Sequence, residues 1–298
     1  MRIRCLPKFE YLAPKTLEEA LALLDKHKDR AKVIAGGTDF LPKMKSWEAT
    51  PQYLIGLKNV PGLDYIEHSN TKGLRFGALA TLHSIEVSPI IQERFGVLAQ
   101  AARSIGSAQI RNVGTVAGNL CMAVPSADTA PALIVLGAKL KLVSLKGERI
   151  VPVEEFFAGP FQTVLGKAEL LTEIQVPNLL PCSGSVYLKY TLRRAMDLAI
   201  VGVAAMITSD NGTCRGVKIA LGAVAPAPFR ATKAEAILNQ KVAKDELIEE
   251  TAQVASEEAR PISDIRASAE YRREIVRVLT RRAVKQAWEK ARQPQVAR

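Results

Sequence analysis

Apolar and polar positions change their spacing twice along the chain, and the changes divide it into three stretches. In "TLEEALALLDKH" the residues Leu17, Ala20, Leu21 and Leu24 recur at helical spacing, with Thr16 and Glu19 placed as in a capping box. Short apolar runs flank that helix. "FEYLAP" closes at Pro14, and Val33 to Ala35 read as a buried strand stopped by Gly36-Gly37. A second helical stretch then leads into "QYLIGL". This order predicts a small βαβ-type unit over residues 1–58.

From "NVPGLDYIEH" onward the pattern turns to short strands and turns, with helical spacing in "FGVLAQAARSI" and "ADTAPALIVLGA". "KLKLVSLKGERIVPV" reads as a hairpin turning at Lys146-Gly147, and "ELLTEIQVP" closes a second unit, 59–177. "NLLPCSGS" reads as a linker. The third unit, 178–298, opens with strands "VYLKYTL", "LAIVGVAAMIT" and "CRGVKIALGAV", the last two joined by a turn at Asp210-Asn211-Gly212. Helices follow from about Thr232. Strands and then helices predict an α+β architecture.

At 298 residues, 48% of them hydrophobic, the chain is long enough for two or three packed units. Its longest apolar runs, such as Leu198 to Ile207, are too short to span a bilayer, and the start lacks a signal-peptide pattern. A cytoplasmic protein is the expectation. Cys5, Cys121, Cys182 and Cys214 are scattered, as are His27, His68 and His83, so no metal site is predicted. The net charge of +11 is uneven. The stretch Glu270 to Arg298 holds nine Lys/Arg against three acids, with Tyr271, Ile275, Val278, Leu279 and Trp288 at helical spacing. A helix with a basic outer face is predicted. Nucleic-acid binding is not, because neither a recognised motif nor aromatic interleaving accompanies the charge.

Three polar stretches stand out, the first two glycine-bearing: "AGGTDF" (35–40), "TVAGN" (115–119) and "VPSAD" (124–128). "VGTVAGN" reads as too small and loose for a helix or a well-paired strand. Consecutive amides in glycine-rich turns form anion-binding concavities, and glycine lets a phosphate approach the main chain. Thr38 and Thr115 offer hydroxyls, and Asp39 and Asp128 could accept from a ribose. Taken singly, each stretch also has a local explanation. Gly36-Gly37 serves as a turn, and Asp128 as the N-cap of the helix behind it. No G-x-G-x-x-G and no P-loop motif is present.

In order, "VIAGGTD", "IRNVGTVAGN" and "VPSAD" resemble the FAD-binding medium subunit of the molybdenum hydroxylases, of the xanthine dehydrogenase and carbon monoxide dehydrogenase type. "LKYTLRRAMDLAIVGVAA", "IALGAVAPAPFRA" and "ISDIRASAEYRREIVRVLTRRAV" extend the resemblance over essentially the whole chain. It implies a two-subdomain FAD-binding fold of the PCMH type followed by a C-terminal α+β domain. By that resemblance Val33, Ile34, Ala35, Gly36, Gly37, Thr38, Asp39 and Phe40, with Thr115, Val116, Ala117, Gly118 and Asn119, would wrap the FAD pyrophosphate. Asp128 would bind toward the ribose, Ile105 and Leu171 would pack on the cofactor, and Lys189 would sit near the flavin ring. Ala117 departs from a common glycine, which requires a negative φ there. Val124 stands where a small polar residue often precedes Pro125.

The resemblance further implies electron relay. A molybdopterin-binding large subunit and a small subunit with 2Fe-2S clusters would complete a heterotrimer, single or dimerised, and FAD would pass electrons to NAD, a quinone or another carrier. No catalytic acid–base pair is assigned to this chain. Arg193 and Arg194 are read as candidates to stabilise reduced flavin, or as a surface salt-bridge pair. The family branch with an extra iron–sulfur cluster in this subunit is excluded, since no insertion with clustered cysteines occurs. Cys121 reads as a small buried hydrophobe or, more sharply, as a thiol beside the flavin. A free-standing flavoprotein acting on a small substrate, and a scaffold that has lost its flavin, are the alternatives.

Overall fold

A computed structural model describes residues 5–193 and 195–293. The first unit contains β1 (Glu10–Leu12), α1 (Leu17–His27), β2 (Ala31–Ile34), α2 (Phe40–Lys45) and β3 (Tyr53–Gly56), its strands parallel in the order β1-β3-β2. The capping signal at α1 is realised. The Glu19 amide donates to Thr16 Oγ1 at 3.1 Å, and the Glu19 carboxylate accepts from the Lys15 amide at 2.8 Å. Ala20, Leu21 and Leu24 are buried beneath it, against Ile55 and Leu57.

The second unit runs from β4 (Ile66–Ser69) and β5 (Gly73–Gly77) through six short helices. These are α3 (Leu82–Val87), α4 (Pro89–Arg94), α5 (Gly96–Arg103), α6 (Ala108–Val113), α7 (Val116–Cys121) and α8 (Thr129–Val135). β6 (Lys139–Ser144), β7 (Gly147–Pro152), the small hairpin β8 (Phe157–Gly159) and β9 (Gln162–Thr163), and β10 (Leu170–Val176) follow. The main sheet is antiparallel in the order β4-β5-β10-β6-β7, and Phe76, Phe95, Leu133 and Phe156 are buried in the core it shares with the helices. "VGTVAGN" is not a loose turn. Thr115 caps α7 by accepting from the Gly118 amide at 3.0 Å, so the glycine-containing segment is helical from Val116. Ala117 takes a helical backbone inside α7, so the condition on its φ is met.

The third unit is an antiparallel sheet of β11 (Ser183–Tyr190), β12 (Val201–Asp210), β13 (Thr213–Gly222) and β14 (Phe229–Arg230), followed by α9 (Thr232–Leu238), α10 (Asp245–Glu258) and α11 (Ala269–Arg292). Asp210 pairs with Thr213 around Asn211 and Gly212, both at positive φ, as the hairpin signal predicts. The predicted linker is shorter than its sequence indicates, because β11 already begins at Ser183. Among the described residues no helix is long and apolar enough to cross a membrane.

The face of α11 matches its sequence pattern in part. Leu279 and Trp288 are buried and Ile275 packs against the core, while Tyr271 is exposed; the buried side also carries Arg272, Val276, Ala283, Val284, Ala287 and Ala291. Close approach decides this: a Cβ on Gly184 of β11 would collide with the Ala287 carbonyl, so the alanine side of the helix is the one that fits the sheet. Arg272 enters the interior with it. Its guanidinium donates to Asp264 Oδ1 at 2.8 Å and to the Ile200 carbonyl at 3.0 Å. The outer face remains basic, and much of its charge is paired: Arg277 and Arg281 reach Glu249, and Lys285 reaches Asp245 at 3.6 Å.

Arg272→Ala removes the buried guanidinium's bonds to Asp264 and to the Ile200 carbonyl, leaving Asp264 to Arg266, and is expected to cost about 2–3 kcal/mol in urea unfolding. Near-native stability would show that the pair carries no such weight. The Arg266 guanidinium, with its amide and Arg272, holds the Asp264 carboxyl below the ordinary carboxylate range. A lowered folded pKa adds stability above the unfolded value, and that stability is lost as pH falls through the folded one. Stability is therefore expected to fall below about pH 4, with Asp264→Asn removing that part of the pH dependence in the same assay.

Candidate functional site

The chain leaves β2 at Ile34 and turns through Ala35 to Asp39 into α2. Gly37 has φ +72°, a left-handed conformation in which a side chain is strained. Gly36 is needed for a different reason: a Cβ there would collide with the Val113 carbonyl. The backbone of the first unit thus lies directly on the backbone of the second. From Gly36 through Phe40 the amide N–H groups donate to no acceptor among the described residues. Five unused donors in one turn make a concave nest for an anion. Asp39 stands in the same turn, where burial raises its pKa and Lys43 partly offsets the shift.

The facing wall is built from residues 105 to 128. The Leu82 amide donates to the Gly114 carbonyl at 2.8 Å, fixing the chain that supports Gly36. Arg111, the basic residue before the glycine-rich stretch, is a brace. Its Nε donates to Glu86 at 2.6 Å and its Nη1 to the Ile105 carbonyl at 3.1 Å. Asn119 Oδ1 accepts from Thr129 at 2.6 Å. Asp128 does not cap α8 with its side chain, as its position in sequence predicts. Its carboxylate instead accepts from Tyr187 Oη at 2.6 Å and from Lys189 Nζ at 2.8 Å, and Lys189 also donates to the Ser104 carbonyl at 3.0 Å. Burial raises the Asp128 pKa, and Lys189 and Tyr187 oppose that shift.

The third unit adds Met196 to Leu198. Met196 has φ +55°, and its turn is tied by Asp197, which accepts from the amides of Arg193 at 2.9 Å and Leu198 at 3.1 Å. Across the first and second units, Phe161 at the tip of the β8–β9 hairpin donates its amide to the Ala123 carbonyl at 2.8 Å. The Lys43 ammonium lies 4.6 Å from its ring centroid.

These segments enclose a cleft of about 330 Å³. Val33 through Phe40, Ile105, Thr115, Gly118, Asn119 and Asp128 line it, together with Val124. Val116 and Ala117 point into the core of the second unit, because helical geometry turns them away from the side that carries Gly118 and Asn119. Leu171 is packed in the same core on β10, off the cleft lining. Lys189 lies behind the wall, its ammonium engaged by Asp128 and Ser104. Arg193 braces its own turn through the Met196 carbonyl at 2.8 Å, and Arg194 lies outside the described residues. Cys121 lines the cleft, and burial pushes its thiol up to about 12, so it is a protonated, apolar neighbour. All four cysteines are free, and among the described residues no group of three or more His, Cys, Asp or Glu could hold a metal ion.

Sequence reasoning missed Leu82, Gly106, Ile110, Met122, Ser126 and Met196 to Leu198 as cleft residues. Gly106, at φ +54°, carries a detectable turn signal in "SIGSAQ". Nothing local marks Met196, which reaches the cleft only through the third sheet.

A cleft between α+β units, with a nest of unused amides on one wall, marks a protein that binds a ligand carrying an anionic group such as a phosphate. Residues 7–179 match the family of the FAD binding domain in molybdopterin dehydrogenase, and 186–287 that of the CO dehydrogenase flavoprotein C-terminal domain. The glyceraldehyde dehydrogenase medium chain of Sulfolobus acidocaldarius is 36% identical over 94% of this chain and 98% of its own. The carbon monoxide dehydrogenase medium chain of Hydrogenophaga pseudoflava is 34% identical over 95% and 98%. The solved carbon monoxide dehydrogenase of that organism superposes with a TM-score of 0.93, covering 96% of this chain and 99% of the solved one. The chain belongs to the FAD-binding medium subunits of the molybdenum hydroxylases, and it is an FAD-dependent oxidoreductase subunit. The free amides of 36–40 and the glycines that expose them fit that cofactor.

Gly36→Ala forces the first loop off Val113 while leaving every strand register intact. The variant is expected to purify with little flavin absorbance and an unchanged circular dichroism spectrum. Full retention of FAD would show that the contact does not shape the cleft.

Proposed function

We propose that this chain relays electrons within a complex. It would receive them from 2Fe-2S clusters of a small subunit, fed by a molybdopterin-binding large subunit, and pass them to an external acceptor. The observation that carries this reading is coverage. The chain matches, almost end to end, proteins named as medium chains or FAD-binding subunits, among them one in a solved Cu,Mo-CO dehydrogenase. FAD, when bound, supplies the redox chemistry, and the protein supplies binding and electrostatics.

The residues of this chain then have binding roles. The amides of Gly36 to Phe40 would hold the diphosphate, with Thr38 and Thr115 placed to add hydroxyl donors. Val33 to Ala35, Gly118 and Asn119 complete that end. Asp128 is suited to a ribose hydroxyl, since its carboxylate keeps acceptor capacity beyond the two bonds it makes within the protein. Ile105, Met196 and Leu198 would exclude water from the reactive end. Lys189 would act from behind the wall, through Asp128, and Val116, Ala117 and Leu171 would support the lining from the core. Three main sheets, each with its own helices, support a division at 1–58, 59–177 and 178–298. Four free thiols suit a reducing compartment, the cytoplasm.

The reading is tested by purifying the chain alone and with its partner subunits. Loaded with FAD, the isolated chain should turn over no substrate of the complex, and adding the other subunits should restore reduction of the acceptor. Turnover of a small substrate by the isolated chain would establish a free-standing flavoprotein instead. Gly37→Val, strained at φ +72°, should abolish FAD retention while the chain stays folded. Binding at wild-type affinity would overturn the assignment of the diphosphate nest.

A further inference from the structure

We infer that Tyr187 is a positioning residue of the cofactor site, acting on it through Asp128. The inference rests on the reading that the cleft holds FAD with Asp128 facing it. Tyr187 belongs to the third unit, on β11, and is buried at 6% exposure. Its hydroxyl donates to Asp128 Oδ1 at 2.6 Å, while Lys189, two residues on and on the same side of the strand, donates to Oδ2 at 2.8 Å. Each carboxylate oxygen therefore has one donor from β11. That leaves the remaining lone pairs for the cleft that Asp128 lines.

Two further features fix the strand and leave room for the phenol. The Tyr187 amide donates to Gln100 Oε1 at 2.9 Å, which ties the strand to α5 beside the cleft. On the neighbouring strand, Gly202 leaves room for the hydroxyl, since a Cβ there would lie 2.7 Å from Tyr187 Oη. Lys189 sits opposite that same glycine in the register of β11 with β12. The strand pair thus combines a large polar side chain with an absent one at the point where the carboxylate must be held.

The chemical consequence follows from the donor count. A buried carboxylate with two donors has its plane and charge fixed, and hydrogen bonds to charged groups are the stronger ones. With only the ammonium left, the carboxylate can rotate about one contact, and its outward lone pairs lose their direction. Tyr187 itself lies off the cleft lining, so its effect on FAD must pass through Asp128.

The test is a double-mutant cycle on FAD affinity, using the full chain stripped of flavin and titrated with FAD by fluorescence quenching. Tyr187→Phe should raise the FAD Kd about tenfold in the wild-type background and less than about twofold in the Asp128→Asn background. Gly202→Ala, which displaces the hydroxyl without removing it, should show the same dependence on Asp128. Equal losses in both backgrounds would mean a merely structural tyrosine, and the inference would be wrong. An unchanged Kd for Tyr187→Phe, with a raised Kd for Asp128→Asn, would also overturn it while leaving Asp128 in the site. An unchanged Kd for Asp128→Asn would remove Asp128 from the FAD wall, and the inference with it.

Discussion

The arrangement turns on one buried charge. The Asp128 carboxylate is almost inaccessible to water, and its two donors come from a sheet that begins more than fifty residues later in the chain. A buried charge without partners is prohibitive, and a pair broken on one side costs more than the intact pair contributes. Keeping Asp128 paired therefore requires the third sheet to sit on the second unit, where Tyr187, Ala204, Met206 and Ala220 share one apolar core with it. The surrounding contacts agree with that constraint. The Ala223 amide donates to the Pro125 carbonyl at 2.7 Å, and a Cβ on Gly222 would press on Pro131. Arg230 of the third unit, bound to Glu235, also reaches Glu154 of the second at 3.5 Å.

The other side of the cleft is governed by main chain rather than charge. Gly36 allows two backbones to meet, so the unused amides of the following turn stay where the β2 strand leaves them. The glycines of the two conspicuous stretches do separate jobs. Gly36 serves packing between units, Gly37 supplies a left-handed turn, and Gly118 receives the Thr115 cap at the start of a helix. Close approach of a phosphate requires only that these positions be satisfied together.

Local rules carry far in this chain, and they fail where partners are distant. The Thr16 cap of α1 and the Asn211-Gly212 turn depend on neighbours within a few residues, and both are realised, with Glu19 reaching back to the Lys15 amide rather than to that of Thr16. The grouping of residues 33–40 with Thr115, Gly118, Asn119 and Asp128 was legible as a motif order, whereas Val116 and Ala117 of the same stretch face the core. The shape of that stretch was not: "VGTVAGN" reads as loose by composition, yet a threonine cap and contacts to Leu82 and Ala80 make it the start of a helix. Asp128 looks like an N-cap by position, but the stronger donors arrive from Tyr187 and Lys189. In α11 the burial of Leu279 and Trp288 follows the spacing, but the exposure of Tyr271 and the contact through Ala287 do not, because Gly184 brings the backbones together there. Spacing alone cannot show where a small side chain makes the closest approach.

The span of these contacts bears on the order of assembly. Asp128 and Lys189 are 61 positions apart, and the Lys43–Phe161 contact bridges a still longer stretch of chain. Contacts of that range form after local hairpins and helices, since chain closure must precede any reward from the contact. The cleft is complete only when the three units are in contact. A ligand that binds only the docked state adds to its stability in proportion to its concentration over its dissociation constant, on a logarithmic scale. FAD held in the cleft would by that relation add to the contacts between the units, so a flavin-free chain is expected to loosen first at those seams.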